Sequence, residues 1–206
     1  WHDAIGTDQF SAGGGNAVGT MVHQIYRLEL SQLDSPPVHP FHDYWKARRT
    51  AEHAVPLRAA VDPTELRELL PNIVIIEVEQ APLRFRYRLV GTRVVEFNKL
   101  DFTGLYLGSI GWEEEQQIVA TCVDVVSSRQ PLCGFYSWTL QTGAVGRCEF
   151  GIFPFSADVE TVTQIFGIED YEFPREYSGA RSRTPLQPRS LLRVGGHLPR
   201  HPAAGR

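Results

Sequence analysis

Hydrophobic and polar positions change period along the chain. After Pro40, FHDYWKARR places Phe41, Tyr44, Trp45 and Arg48 at helical spacing, which predicts a short helix with an aromatic face and basic residues at its C-terminal end. At Asp62 the run D-P-T-E offers an Asp cap, proline at the first helical position and Glu65. Leu66, Leu69 and Leu70 follow before Pro71, predicting a second helix.

Beyond Pro71 the pattern becomes that of strands. IVIIEV is a β-branched run, and Ala81-Pro82 turns it toward RFRYRLV, where Phe85, Tyr87 and Leu89 alternate with Arg84, Arg86 and Arg88; the pair reads as an antiparallel hairpin. Thr92 can cap a one-to-two-turn helix, TRVVEFN, and D-F-T-G (Asp101 to Gly104) reads as a compact loop. EEEQQIVATCVDVVSSR carries the longest helical pattern, with Ile118, Val119, Cys122, Val125 and Val126 on one stripe, acids at its start and Arg129 at its end. PLCGFYSWTL, RCEFGIFPF and VTQIFGI then read as three strands of a meander. Two N-terminal helices, two strands, a small helix, a long helix and three strands predict an α+β domain: a five-stranded antiparallel sheet with helices on one face and a pocket between them.

Composition divides the chain. From Pro71 to Phe173 there are 14 acids against 7 bases, whereas Pro174 to Arg206 has 7 arginines against Glu176 alone. An acidic core is a poor match for phosphate, so nucleic acid is not expected as a partner except through the basic tail. The reading gives a flexible leader over residues 1–38, a helical extension over 39–72, the α+β domain over 73–173 and a disordered Arg/Pro-rich tail over 174–206. No apolar run approaches the ~20 residues that span a bilayer, and the first residues lack the basic and apolar regions of a secretory signal, so a cytoplasmic protein is expected. Cys122, Cys133 and Cys148 match no zinc or disulfide spacing and are expected to be buried free thiols; a turn centred on Gly143-Ala144 would set Cys148 opposite Thr139.

The order of elements, with LLPNIVIIEV, RFRYRLVGT and DFTG, resembles the PAS fold, and more narrowly a bacterial PAS-like family in which a D-Y-W helix precedes the sheet. The resemblance covers roughly Phe41 to Ile168 and maps onto Tyr44 and Trp45, Leu70 and Pro71, Tyr87 to Gly91, and Gly104. It implies a regulatory sensor or interaction module, acting in trans on an unidentified signalling protein, and implies no particular ligand. Dimerisation through a sheet face is common in such domains, and Phe41, Tyr44 and Trp45 are the interface candidates.

Cofactor marks are missing from the core. Gly91 to Gly108 has no cysteine for a flavin adduct, and the histidines at 2, 23, 39, 42, 53, 197 and 201 leave none for haem, so no cofactor is predicted. His39, His42 and Asp43 lack one-face ligand spacing, so no metal is predicted; no G-x-S-x-G occurs, and Glu77, Glu96 and Glu149 read as surface acids. A non-enzymatic protein is expected; the alternative is a small-ligand enzyme or carrier on a cone-shaped α+β fold, which a polar pocket with a displaced carboxyl would favour. Phe85, Tyr87, Phe97, Tyr106, Cys122, Tyr136, Trp138, Phe150 and Phe166 are the pocket candidates, for a small apolar or amphipathic ligand, with a filled core as the competing reading.

Overall fold

A computed structural model describes residues 21–112, 114–139, 144–158 and 161–172. The sheet is built from β1 (Met21–Leu28), β2 (Ile73–Gln80), β3 (Leu83–Val90), β4 (Leu132–Thr139), β5 (Val145–Ser156) and β6 (Val162–Glu172). Every pairing is antiparallel, in the order β1-β4-β5-β6-β2-β3. The helices are α1 (Val38–Ala47), α2 (Thr92–Asn98) and α3 (Glu115–Ser128). The predicted α+β, PAS-like architecture is therefore present, with one strand more than expected.

That extra strand corrects the leader assignment. Residues 21–28 pair with β4, placing Tyr26 opposite Phe135 and Leu28 opposite Cys133. The Tyr26 and Phe135 rings stack at 4.9 Å. Gly134 makes the approach possible, because a Cβ there would stand 2.1 Å from the Tyr26 carbonyl oxygen. Residues 1–20 and the tail from 174 onward lie outside the described residues, and the expectations placed on them stand outside it too.

The second predicted helix is also corrected. Residues 63–69 form consecutive turns that end in a short 3₁₀ segment, Leu70–Asn72. Asp62 does cap the segment, its Oδ1 accepting from the Thr64 N–H and hydroxyl at 2.8 Å each. Pro63 and Pro71 bracket the segment, and neither can donate to a helical ladder. What remains is mostly i to i+3 bonding, such as Leu66 N–H to the Pro63 carbonyl at 3.2 Å.

β5 explains why both faces of the sheet must be covered. Phe153 and Phe155 point to one side, where they join Phe41, Trp45, Phe166 and Ile168 in a continuous core. Phe41 packs on Phe153 at 5.0 Å and on Phe166 at 6.0 Å, and the Trp45 indole N–H donates to the Pro154 carbonyl at 2.7 Å. Phe41 and Trp45 are 0% and 1% exposed. The chain's own α1 thus covers this face, and with both side chains buried beneath it Phe41 and Trp45 are not exposed as a dimer interface. Tyr44 is tied down as well: Arg48 lies over its ring and its hydroxyl accepts from the Asp62 N–H at 3.0 Å.

On the opposite face α2, α3 and the loop between them pack on Val74, Ile76, Tyr87 and Ile165. Cys122, Cys133 and Cys148 are buried free thiols. The register of the β4–β5 hairpin differs from expectation: Cys148 lies opposite Tyr136, and Trp138 opposite Gly146. There the Trp138 indole occupies the place a Cβ of Gly146 would take, at 2.2 Å. A residue with no side chain is what accommodates that ring, which a turn count alone does not reveal.

Candidate functional site

A cavity of about 100 Å³ lies between the sheet and the α2, α3 side of the molecule. Its floor is formed by alternate strand residues, among them Val74, Ile76, Tyr87, Tyr136, Phe150 and Glu169. Its cover is formed by Phe97 and Asn98 of α2, Phe102 and Trp112 of the loop, and Ile118, Thr121 and Cys122 of α3. Most of this lining is apolar or aromatic, the composition expected of a small-molecule site.

The cover is held in place by identifiable bonds. Asp101 Oδ1 accepts from the Thr103 N–H at 2.9 Å, closing the D-F-T-G turn, and the Gly104 N–H donates to the Tyr87 carbonyl at 2.7 Å. Tyr87 and Leu107 N–H groups bond to Leu105 and Phe85 carbonyls, both at 2.9 Å, so the loop runs along the outer edge of β3. Buried Glu115 fixes the far end: its carboxylate accepts from Gly108 and Ile110 at 3.0 Å and from Gly111 at 2.9 Å. Gly108 and Gly111 have φ of 94° and 90°, which an L side chain rarely adopts, and this lets successive N–H groups converge on one carboxylate. Phe102 stands edge-on to Tyr87 at 4.5 Å and to Trp112 at 5.0 Å, stitching the loop to the floor.

One end of the cavity is polar. β6 runs on to Glu172, so Ile165, Gly167, Glu169 and Tyr171 share the α2, α3 face of the sheet, the first three of them lining the cavity, while Phe166 and Ile168 belong to the α1 core and Ile168 also reaches the cavity lining. The Tyr171 hydroxyl donates to Glu169 Oε2, and the Tyr171 ring stacks on Phe97 at 3.9 Å. Glu169 keeps some accessible surface, yet burial pushes its carboxyl above the usual carboxylate range, with the Tyr171 hydrogen bond opposing that shift. Burial likewise pushes Tyr87, Tyr136, Tyr171 and Cys148 well above their ordinary values. Cys122 is pushed up to about 12 for the same reason, which makes it a poor nucleophile.

Of the nine pocket candidates, Tyr87, Phe97, Cys122, Tyr136 and Phe150 line the cavity. The other four stand elsewhere. Phe85 is buried beside the cavity without lining it, and Trp138 packs behind it against Phe97 and Cys148. The Tyr106 hydroxyl donates to Glu79 Oε1 at 2.9 Å, outside the cavity. Phe166 is on the α1 face, packed against Phe155 at 4.6 Å, because its neighbours Ile165 and Gly167 take the cavity side. Glu169 and Tyr171 were missed. A strand ending at Ile168 leaves E-D-Y-E as a solvated acidic run, although continuing the alternation of Ile165 and Gly167 would have brought Glu169 to the pocket and Tyr171 beside it against Phe97.

On the α1 face, a more open groove lined by Arg58, Ile75, Glu77, Arg88, Leu89 and Gln164 already has Glu77 paired with Arg86 and Arg88.

A family model described as a PAS domain matches residues 33–169, two thirds of the chain. The chain belongs to the PAS-domain family, whose members serve in general as regulatory sensor and interaction modules. No curated protein matches it. Among the described residues, no helix is long and apolar enough to cross a membrane.

Proposed function

We propose that this PAS domain senses a small apolar or amphipathic ligand held between the sheet and α2, α3, and that it reports occupancy through α1. The observation that carries the reading is the cavity itself: a mostly apolar, aromatic-lined space with a few polar groups, Glu169 among them, in its lining. Such a distribution orients a ligand as well as burying it. β6 supplies the coupling, because Glu169 and Gly167 meet the ligand space, Phe166 supports α1, and Ile168 belongs to the α1 core while also reaching the cavity lining. A change in β6 that seats a ligand therefore alters the packing beneath Phe41 and Trp45, giving two packings of one helix. The triplet Asp43–Tyr44–Trp45 lies within α1 and supports the narrower kinship with PAS-like proteins that carry a D-Y-W helix.

An enzymatic role is a second reading, favoured by the raised carboxyl of Glu169 alone. It lacks a nucleophile of matched acidity, since the lining thiol Cys122 is held protonated. Native mass spectrometry of freshly purified protein tests the sensor reading: a retained small molecule is expected. Its removal is expected to change hydrogen exchange in Val38–Ala47. Equal protection of that helix with and without ligand would sink the coupling.

A further inference from the structure

We infer that the ligand is a small amine bound as its ammonium ion, with the nitrogen at Glu169 and an apolar body among the aromatic rings. This rests on the ligand-sensing reading above and assigns the chemistry that reading leaves open.

Charge decides the sign of the ligand. Among the described residues lining the cavity there are two acids, Glu114 and Glu169, and no lysine, arginine or histidine. An anionic ligand would find no cationic side chain in that lining to receive it. A buried carboxylate without a counter-charge is costly, and burial has already pushed Glu169 toward its neutral form. An ammonium group restores the pair in its charged state.

Hydrogen bonding points the same way. Glu169 Oε2 is engaged by Tyr171, whereas Oε1 has no partner among the described residues. Tyr87 is 4% exposed, lines the same cavity, and its hydroxyl bonds to no described residue. A hydrocarbon would offer neither group a hydrogen bond. An ammonium donates to Glu169 Oε1 and can donate again to the Tyr87 oxygen. The rings of Tyr87, Phe97, Phe102, Trp112 and Tyr136 add faces of negative potential around a cation.

Volume limits the body. A cavity of ~150 Å³ holds benzene, so about 100 Å³ admits about four or five non-hydrogen atoms. Branched short-chain amines fit; nucleotides and flavins do not.

Three probes sharing one branched alkyl body separate the possibilities: isobutylamine, isobutyl alcohol and isobutyrate, titrated into the full chain and followed by ligand-observed NMR with calorimetry. The amine is expected to bind at least about 10-fold more tightly than the alcohol, with isobutyrate weakest. Glu169→Gln is expected to bring the amine down to the level of the alcohol while leaving the alcohol unchanged. Tyr87→Phe, which keeps the ring, is expected to weaken the amine by a smaller factor. The wild-type comparison stands even if a variant fails to fold. Binding of the alcohol with no preference for the amine overturns the assignment and leaves the sensor reading in place. Binding by none of the three overturns both.

Discussion

The two faces of the sheet solve the same burial problem in different ways. On the α1 side, large rings fill the space completely: Phe41, Phe153 and Phe155 are all 0% exposed, and Trp45 places its one polar atom on the Pro154 carbonyl. On the α2, α3 side, comparable rings surround a cavity whose lining includes two carboxyls, hydroxyls and the Cys122 thiol. Filling serves stability, since close packing gains dispersion contacts and leaves nothing to be occupied. A space left unfilled forfeits part of that gain.

The largest expected effect breaks the filled side. Phe153→Ala removes a ring in contact with Phe41 and Trp45 and should cost about 3–5 kcal/mol in denaturant unfolding, because the surrounding rings can collapse only partly. Next comes the cover of the open side. Glu115→Ala strips the acceptor from three backbone N–H groups at once and should cost about 3 kcal/mol. Hydrogen exchange at Gly108, Ile110 and Gly111 should rise selectively; unchanged exchange there would show that the carboxylate does not hold the loop.

How far these differences could be read from the chain depends on what kind of signal encodes them. The strand and helix periods of Ile73–Gln80, Leu83–Val90 and Glu115–Ser128 are local, and pattern recovers them. That Phe153 and Phe155 need a cover opposite to that of Cys148 and Phe150 is also visible, since no alternation of polar residues relieves either face. Which element supplies the cover is a tertiary fact, and α1 rather than a second subunit supplies it. β1 was invisible for a related reason: MVHQIYRL follows a glycine-rich run and is stabilised by pairing with β4, not by its own pattern. At the site, the aromatic floor was legible, but Glu169 was not, because an acid at a strand end is ordinarily solvated and only the two-residue register turns it inward.

A matched pair of glycines sharpens the comparison further. A Cβ on Gly151 would stand 2.6 Å from the Phe153 ring and 3.0 Å from Val38, whereas a Cβ on Gly167 would meet nothing nearer than Val74 at 3.7 Å. Both are strand residues in adjacent pairs of the sheet, so backbone entropy affects them alike. Gly151→Ala should therefore lose about 1–3 kcal/mol by overpacking, and Gly167→Ala should be neutral or gain a few tenths, up to about 1 kcal/mol. Equal losses in chemical denaturation would mean that the two faces are packed alike.

The smallest effect concerns pH. Because burial holds the Glu169 carboxyl above its unfolded value, the native state binds its proton more tightly than the unfolded chain does. The associated stability is complete below the ordinary carboxylate range and is lost as pH rises through the raised value. Tyr87, Tyr136, Tyr171 and Cys148, which interact with Glu169 or with one another, are pushed upward too and stay neutral across that window. Asp62 and Asp101, held low by their Thr64 and Thr103 bonds, act in the opposite sense and at lower pH. Subtracting the denaturation midpoints of Glu169→Gln from those of the wild type at each pH isolates the one group. The difference should fall as pH rises above the usual carboxylate range and then level off. Addition of a bound amine should reverse the trend, because the ion pair favours the charged carboxylate that the empty cavity penalises; a flat difference with and without the amine would place Glu169 in contact with bulk water.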